Sequence, residues 1–131
     1  MHEFTVAEAL LTRLEELEAS EDGSLPAGGW HVTVRVPVSA CLSPAALHGA
    51  CEVLRELGDG PQRSIDLVFE EVPGEAACRT CPDVRGQPLR FPFASGGPSL
   101  CPSCGRAGRR VQKSAWIDAI DPLESALTAR S

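Results

Sequence analysis

The sequence lacks any apolar run near the ~20 residues that a membrane-spanning helix needs. It also lacks the basic and then apolar start of a secretory signal, because residues 1–20 carry acidic flanks. These absences argue against a membrane protein and predict a cytoplasmic location. Charged residues form 23% and hydrophobic residues 43% of the chain, which excludes the composition of a disordered protein.

Recognisable catalytic motifs are also absent. The sequence shows no Ser-His-Asp order, no phosphate-binding loop and no carboxylate pair with an evident pocket. We therefore do not expect an enzyme.

Cysteine, in contrast, is abundant. With no signal peptide, the six cysteines are expected to be thiols or thiolates rather than disulfides. Four of them form two CxxC pairs, Cys78 with Cys81 and Cys101 with Cys104, separated by 19 residues. A two-residue gap lets one tight turn aim both sulfurs at the same ion, and the spacing matches zinc sites of this type. The pattern predicts a tetrahedral Cys₄ zinc site.

The same four cysteines have other possible interpretations. Iron in a rubredoxin-like or iron–sulfur setting also suits an all-thiolate ligand set. Four free thiols in a loop would be an oxidation liability, and neither CxxC opens a helix after a strand as in thioredoxin. A closed Cys₄ site is structural because it leaves no position for substrate. Of the other two cysteines, Cys51 is predicted in the core and Cys41 is predicted to be structural.

Hydrophobic periodicity predicts two helices and three strands. Apolar residues at spacings of three and four predict a helix over 4–19. Ser43 and Pro44 predict the start of a second helix, which Gly58 ends. Strands are predicted at 30–38, about 64–72 and about 111–120. Pro37 donates no ladder hydrogen bond, so the first strand either lies at an edge there or ends there.

This element order predicts an α+β fold. A small mixed sheet of about three strands is covered by two helices, and a strand–helix–strand crossover makes two strands parallel. The stretch between the last two strands is poor in regular pattern and is interpreted as an inserted Cys₄ zinc-ribbon module. The predicted division is a body of 1–72 and 109–121, a zinc-binding module of 73–108, and a C-terminal tail of 122–131.

Charge is distributed unevenly along the chain. The whole chain has a formal charge of −6. Between Cys78 and Lys113, however, Asp83 is the single acid, against seven basic residues: Arg79, Arg85, Arg90, Arg106, Arg109, Arg110 and Lys113. This basic segment favours an alternative function as a zinc-ribbon nucleic-acid-binding or transcription-related module. The acidity of the whole chain and the scarcity of nearby aromatics, Phe91 and Phe93 alone, oppose it. The arginines could equally dock onto an acidic protein or onto the acidic body.

The first three residues, Met1-His2-Glu3, form a second candidate metal site. Since His2 is not small, Met1 is expected to persist with a free amine. That amine, the His2 amide and the His2 imidazole can form fused chelate rings, with the Glu3 amide or carboxylate within reach. Nitrogen-rich, near-planar sets suit Ni(II) or Cu(II). The alternative is an ordinary helix lead-in with an incidental histidine, and His31 and His48 are interpreted as surface or interface residues.

Together these features resemble the HypA family of hydrogenase nickel-incorporation proteins. The resemblance covers about residues 1–120 and rests on the MHE start of an amphipathic helix, the strand–helix–strand unit and the two-CxxC insertion. The stretches "FEEVPGEAACRTC" and "VQKSAWIDAI" also resemble that family.

The resemblance implies a nickel metallochaperone. Transported Ni(II) would bind at Met1, His2 and Glu3, and structural Zn(II) at Cys78, Cys81, Cys101 and Cys104. The implied partners are a nickel-handling GTPase of hydrogenase maturation and the hydrogenase large-subunit precursor. Neither nucleic acid nor a membrane is expected as a partner, and a homodimer is left open.

Overall fold

The computed structural model describes residues 3–20, 23–40, 42–94 and 98–123. Within them lie two helices, α1 (Glu3–Ala19) and α2 (Pro44–Glu56), with a short 3₁₀ turn at Val38–Ala40. The strands are β1 (Trp30–Pro37), β2 (Ile65–Val72), β3 (Gly74–Pro82), β4 (Pro88–Phe93), β5 (Arg109–Arg110) and β6 (Trp116–Pro122). The predictions for Met1, His2, Cys41 and most of the C-terminal tail lie outside the described residues.

The first sheet has the strand order β2-β1-β6 and is mixed. Strands β1 and β2 are parallel, in register from Trp30 opposite Ile65 to Pro37 opposite Val72, and β6 runs antiparallel to β1. Because α2 connects the two parallel strands, the predicted crossover unit is confirmed. Pro37 ends the central strand, so the second of the two alternatives for this proline is correct.

One face of β1 forms the main core with the two helices. Trp30, Val32, Val34 and Val36 are buried and pack with apolar side chains of α1 and α2. The Ser43 hydroxyl caps α2 by accepting from the Ala46 amide at 3.0 Å, as the sequence predicts. The core of α2 includes Leu47, Ala50 and the predicted core residue Cys51.

The second sheet has the order β4-β3-β5, and it corrects the expectation that 73–108 is poor in regular structure. Strand β3 pairs antiparallel with both neighbours, and its ladder with β4 shifts register between Ala77 and Pro82. The apolar–polar alternation that predicts a strand is obscured by small residues in β3 and by Pro88 and Pro92 in β4. Because β4 is an edge strand, those prolines do not break a ladder on its outer side.

The last predicted strand begins later than expected. Residues 109–110 form β5 in the second sheet, and 111–115 run as an irregular connection before β6 begins at Trp116. The Val111 amide donates to the Glu75 carbonyl at 2.8 Å, which holds the start of this connection against β3. Residues 111–115 therefore connect the second sheet to the first. Periodicity in a single sequence cannot distinguish such a connection from a strand.

Two glycines let aromatic rings close the smaller core, which contains Ala76, Phe91 and Phe93. A Cβ at Gly108 would lie 2.6 Å from the Phe91 ring, and one at Gly74 would lie 2.6 Å from the Phe93 ring. Any other residue would bring its Cβ closer to the ring than carbon atoms approach one another in proteins. Only glycine therefore leaves room for these rings.

Glu18, near the end of α1, anchors the loop that leads into β2. Its carboxylate accepts from the backbone amides of Gln62 at 2.9 Å and Arg63 at 3.1 Å, and from the Arg63 guanidinium at 2.9 Å. Arg63 also lies over the Trp30 indole, 4.2 Å from the ring centroid. Burial alone would raise the pKa of Glu18, but these hydrogen bonds hold it below its ordinary value of 4.5.

Replacing Glu18 should therefore destabilise the body. We expect Glu18→Ala to lower the free energy of unfolding by ~1–2 kcal/mol, because two amides and a guanidinium lose their acceptor. Since the folded pKa lies below the unfolded one, this stabilisation is present above about pH 4.5 and is lost as the pH falls through the folded value. Urea unfolding of zinc-loaded protein at several pH values measures both effects.

The matched control is Glu16→Ala on the same helix. Glu16 pairs with exposed Arg13 alone among the described residues, so its loss should cost under ~0.5 kcal/mol. An equal cost for the two variants would contradict the anchoring role of Glu18.

Candidate metal centre

The four predicted zinc ligands converge in the second sheet. The Sγ atoms of Cys78, Cys81, Cys101 and Cys104 all lie within 4.8 Å of one another, and Cys78 and Cys104 are 3.6 Å apart. A tetrahedral zinc ion with Zn–S bonds of ~2.3 Å would place its sulfurs ~3.8 Å apart. The donor set and its spacing thus fit a zinc ion without rearrangement of the backbone.

The first CxxC pair, Cys78 and Cys81, lies at the end of β3. The Thr80 and Cys81 amides point at the Cys78 sulfur, at 3.5 Å and 3.3 Å. The Thr80 hydroxyl lies 3.5 Å from the Cys78 sulfur and 3.8 Å from that of Cys104. Such contacts orient thiolate ligands and moderate their charge. Sequence reasoning missed Thr80, and its signal was a hydroxyl residue inside a CxxC spacer.

The second CxxC pair, Cys101 and Cys104, lies at the tip of a small hairpin. Leu100 bridges Ala107, while the Cys101 amide donates to the Arg106 carbonyl at 2.8 Å. The Gly105 amide then donates to the Cys101 carbonyl at 2.8 Å, and its φ of 74° lies in the region that glycine favours. This tight turn presents the second sulfur pair to the first.

The thiols differ in acidity before any ion binds. The Thr80 hydroxyl, with the Thr80 and Cys81 amides, lowers the pKa of Cys78 to about 5. The pKa of Cys81 is raised to about 12, because its thiol is hydrogen-bonded to Cys104 and Cys78 and a further negative charge there is disfavoured. A divalent cation reverses this preference, since it stabilises all four thiolates together. The cluster therefore has the electrostatics of a cation site.

The predicted nickel set is only partly within the described residues. Glu3 is the first residue of α1 and is partly exposed, whereas Met1 and His2 lie outside the described ranges. Of the predicted set, the structure therefore places Glu3 alone, at the first position of α1.

The other two histidines have contacts in the body. His31 Nδ1 lies 3.0 Å from a carboxylate oxygen of Asp66, and the His48 ring meets Phe69 edge-on with centroids 5.6 Å apart. Across the described ranges, the four-cysteine cluster is the one group of three or more potential ligands close enough to share an ion. Neither histidine therefore belongs to a metal cluster there.

Comparison with known proteins assigns the family. A sequence model of HypA, described as "Hydrogenase/urease nickel incorporation, metallochaperone", matches residues 1–118. The chain belongs to the HypA family. As a member of that family it is a nickel metallochaperone for hydrogenase maturation, with nickel as cargo and a Cys₄ cluster that fits structural zinc.

Structural comparison agrees with the HypA assignment. The chain is similar to the solution structure of the Ni metallochaperone HypA from Helicobacter pylori, with a TM-score of 0.66. The two share 18% sequence identity, and the match covers 94% of this chain and 98% of the other. At this identity the likeness shows the fold, and it confirms the predicted α+β architecture. A comparison with curated proteins finds no match. No helix among the described residues has both the length and the apolar character to cross a membrane.

Removing one cysteine of the cluster should release the zinc. We expect Cys101→Ser to weaken zinc binding by more than ~100-fold, because one thiolate of four is lost from a buried position. Metal analysis and competition with a chromophoric chelator measure this loss.

Cys51→Ala is the matched control, since Cys51 is buried in the body core away from the cluster. This variant should retain one zinc ion per chain. Equal zinc affinity of Cys101→Ser and the native protein would contradict the assignment of the cluster.

Proposed function

We propose that this protein binds Ni(II) at its free N-terminus and delivers it, with a partner GTPase, to the large-subunit precursor of [NiFe]-hydrogenase. The observation that carries the proposal is the family match, which begins at residue 1 and so includes the MHE start. In this proposal the protein is a carrier that acts in the cytoplasm, not an enzyme, and zinc stays in the cysteine cluster.

The proposed nickel ligands are Met1, His2 and Glu3. The Met1 amine, the His2 amide nitrogen and the His2 imidazole would supply nitrogen donors in adjacent chelate rings. Glu3 would add its amide nitrogen or carboxylate oxygen. Ni(II) favours such nitrogen-rich, near-planar sets, whereas the four thiolates of the cluster suit zinc. The two metals are thereby separated by donor chemistry.

The position of Glu3 at the start of α1 supports this arrangement. The first four N–H groups of a helix have no intrahelical acceptor, so an amide here can bind metal without breaking a helical hydrogen bond. A deprotonated amide carries negative charge, which the positive end of the helix dipole stabilises. A site at the tip of a helix can also be dismantled by a partner while the core remains folded.

The division of the chain into parts follows the same proposal. In it, residues 1–72 and 109–121 are the nickel-binding body, 73–108 the zinc module and 122–131 a tail, and β5 of the body pairs with β3 of the zinc module. The closed cysteine cluster offers no vacant ligand position for chemistry, which supports a structural role for zinc.

Changing His2 should abolish nickel binding while leaving the fold intact. We expect His2→Ala, prepared with a native start, to lose the spectroscopic signature of planar nitrogen-bound Ni(II) and to retain its zinc. Acetylation of the Met1 amine should have the same effect. Affinity should also fall with acidity, because protons compete with Ni(II) for the amine and imidazole nitrogens.

His48→Ala is the matched control, because His48 is an exposed histidine on α2. It should bind nickel like the native protein. Nickel affinity that survives both His2→Ala and acetylation would contradict the terminal site.

A further inference from the structure

Three arginines lie on one side of the second sheet, around a small residue. Ala77 on β3 is directly opposite Arg90 on β4 and Arg109 on β5. Residues that pair directly project from the same face of a sheet, so Ala77 lies between two arginines. Arg85, in the turn between β3 and β4, lines with Ala77 and Arg90 a concavity of about 320 Å³. We call Ala77, Arg85, Arg90 and Arg109 the arginine face.

The acidic groups of the protein leave much of this charge uncompensated. Neither Arg85 nor Arg109 forms an ion pair with a carboxylate in the described part of the chain. Asp83 also lines the concavity, and its carboxylate accepts from the Arg85 and Gln87 amides, at 2.8 Å and 3.0 Å. Its single negative charge leaves the three arginines in excess. The arginines therefore do not dock onto the acidic body within the described residues.

Arg90 is the exception, since it shares one carboxylate with a lysine. Glu75 accepts from Lys113 at 2.8 Å and from Arg90 at 3.2 Å. Two cations thus pair with one carboxylate, and the local charge remains positive.

The aromatic residues of the module lie on the opposite face. Phe91 and Phe93 are about 95% buried in the small core, against Ala76 and Gly74. A single-stranded nucleic acid needs exposed rings on which its bases stack, and the described residues of this face offer none. This aromatic-free face instead suits carboxylate groups, which arginine binds through paired N–H donors.

An exposed apolar side chain adjoins these charges. Val84 is fully exposed in the turn that carries Arg85. Apolar groups beside arginines are typical of protein interfaces, in which the apolar contact adds affinity and the charges add orientation and association rate.

We propose that the arginine face is a docking surface for an acidic, extended segment of a partner protein. Carboxylates of that segment pair with Arg85 and Arg109, and an apolar side chain of the segment contacts Val84. The arginine face shares no residue with the proposed nickel set of Met1, His2 and Glu3, so docking does not require nickel.

The test uses zinc-loaded, nickel-free protein and a fluorescent peptide of alternating glutamate with leucine or serine. We expect binding that weakens as salt screens the charges, and no binding of the lysine counterpart. Arg85→Glu and Arg109→Glu should each weaken binding about fivefold, and the double variant by at least ~20-fold. Zinc content, measured in parallel, reports whether the module is intact.

Arg13→Glu is the matched control for each single variant. Arg13 is exposed on α1, and its replacement by glutamate changes the net charge by the same amount as each single variant. It should leave the peptide affinity unchanged, which separates a local surface from an effect of total charge.

Three results would overturn the proposal. The first is failure of the native protein to bind the acidic peptide even at low salt, or equal affinity in the double variant and Arg13→Glu. The second is tighter binding of single-stranded or duplex DNA than of the peptide. The third is self-association of the native protein that Arg85→Glu with Arg109→Glu abolishes, since a second copy would then occupy the face. Failure of nickel binding would leave all three measurements unaffected.

Discussion

The four-cysteine cluster is the constraint on which the second sheet depends. The apolar core of that sheet is small, with Ala76, Phe91 and Phe93 as its main buried members besides the cysteines. Two rings packed on Gly74 and Gly108 bury too little area to stabilise a separate unit. A zinc ion bound by the four thiolates would supply the remaining free energy, as metals do in other small metal-stabilised modules.

The two metals require opposite site designs. The four-cysteine cluster joins two CxxC pairs that are distant in sequence, and Cys78 and Cys101 are buried. Such a closed set suits an ion that is retained. A carried ion must instead be released, and the three proposed ligands are consecutive in sequence, with Glu3 partly exposed at the first position of α1.

Glu75 connects the zinc module to the segment that returns to the body. Its carbonyl accepts from the Val111 amide, and its carboxylate pairs with Lys113 and Arg90. The Lys113 ammonium is the main cause of the lowered pKa of this carboxyl. The irregular stretch between β5 and β6 is thereby held beside β3. The same carboxylate also holds Arg90 of the arginine face.

The sequence by itself determined the elements whose cause is local. The α1 stripe, the Ser43–Pro44 start of α2, the alternation of β1 and the two CxxC pairs were readable because each depends on residues a few positions apart. The family resemblance added the meaning of the MHE start. The parallel pairing of β1 with β2 followed from the crossover between them.

Only the tertiary structure decided what depends on pairing between distant segments. Strands β3 and β4 were missed because a register shift, small residues and edge prolines hide their alternation. The contact of Thr80 with two sulfurs and the placing of Arg90 and Arg109 on either side of Ala77 arise from the fold of β3 against its neighbours. Patterns of neighbouring residues carry no information on these contacts, because the residues involved come together only when the sheet forms.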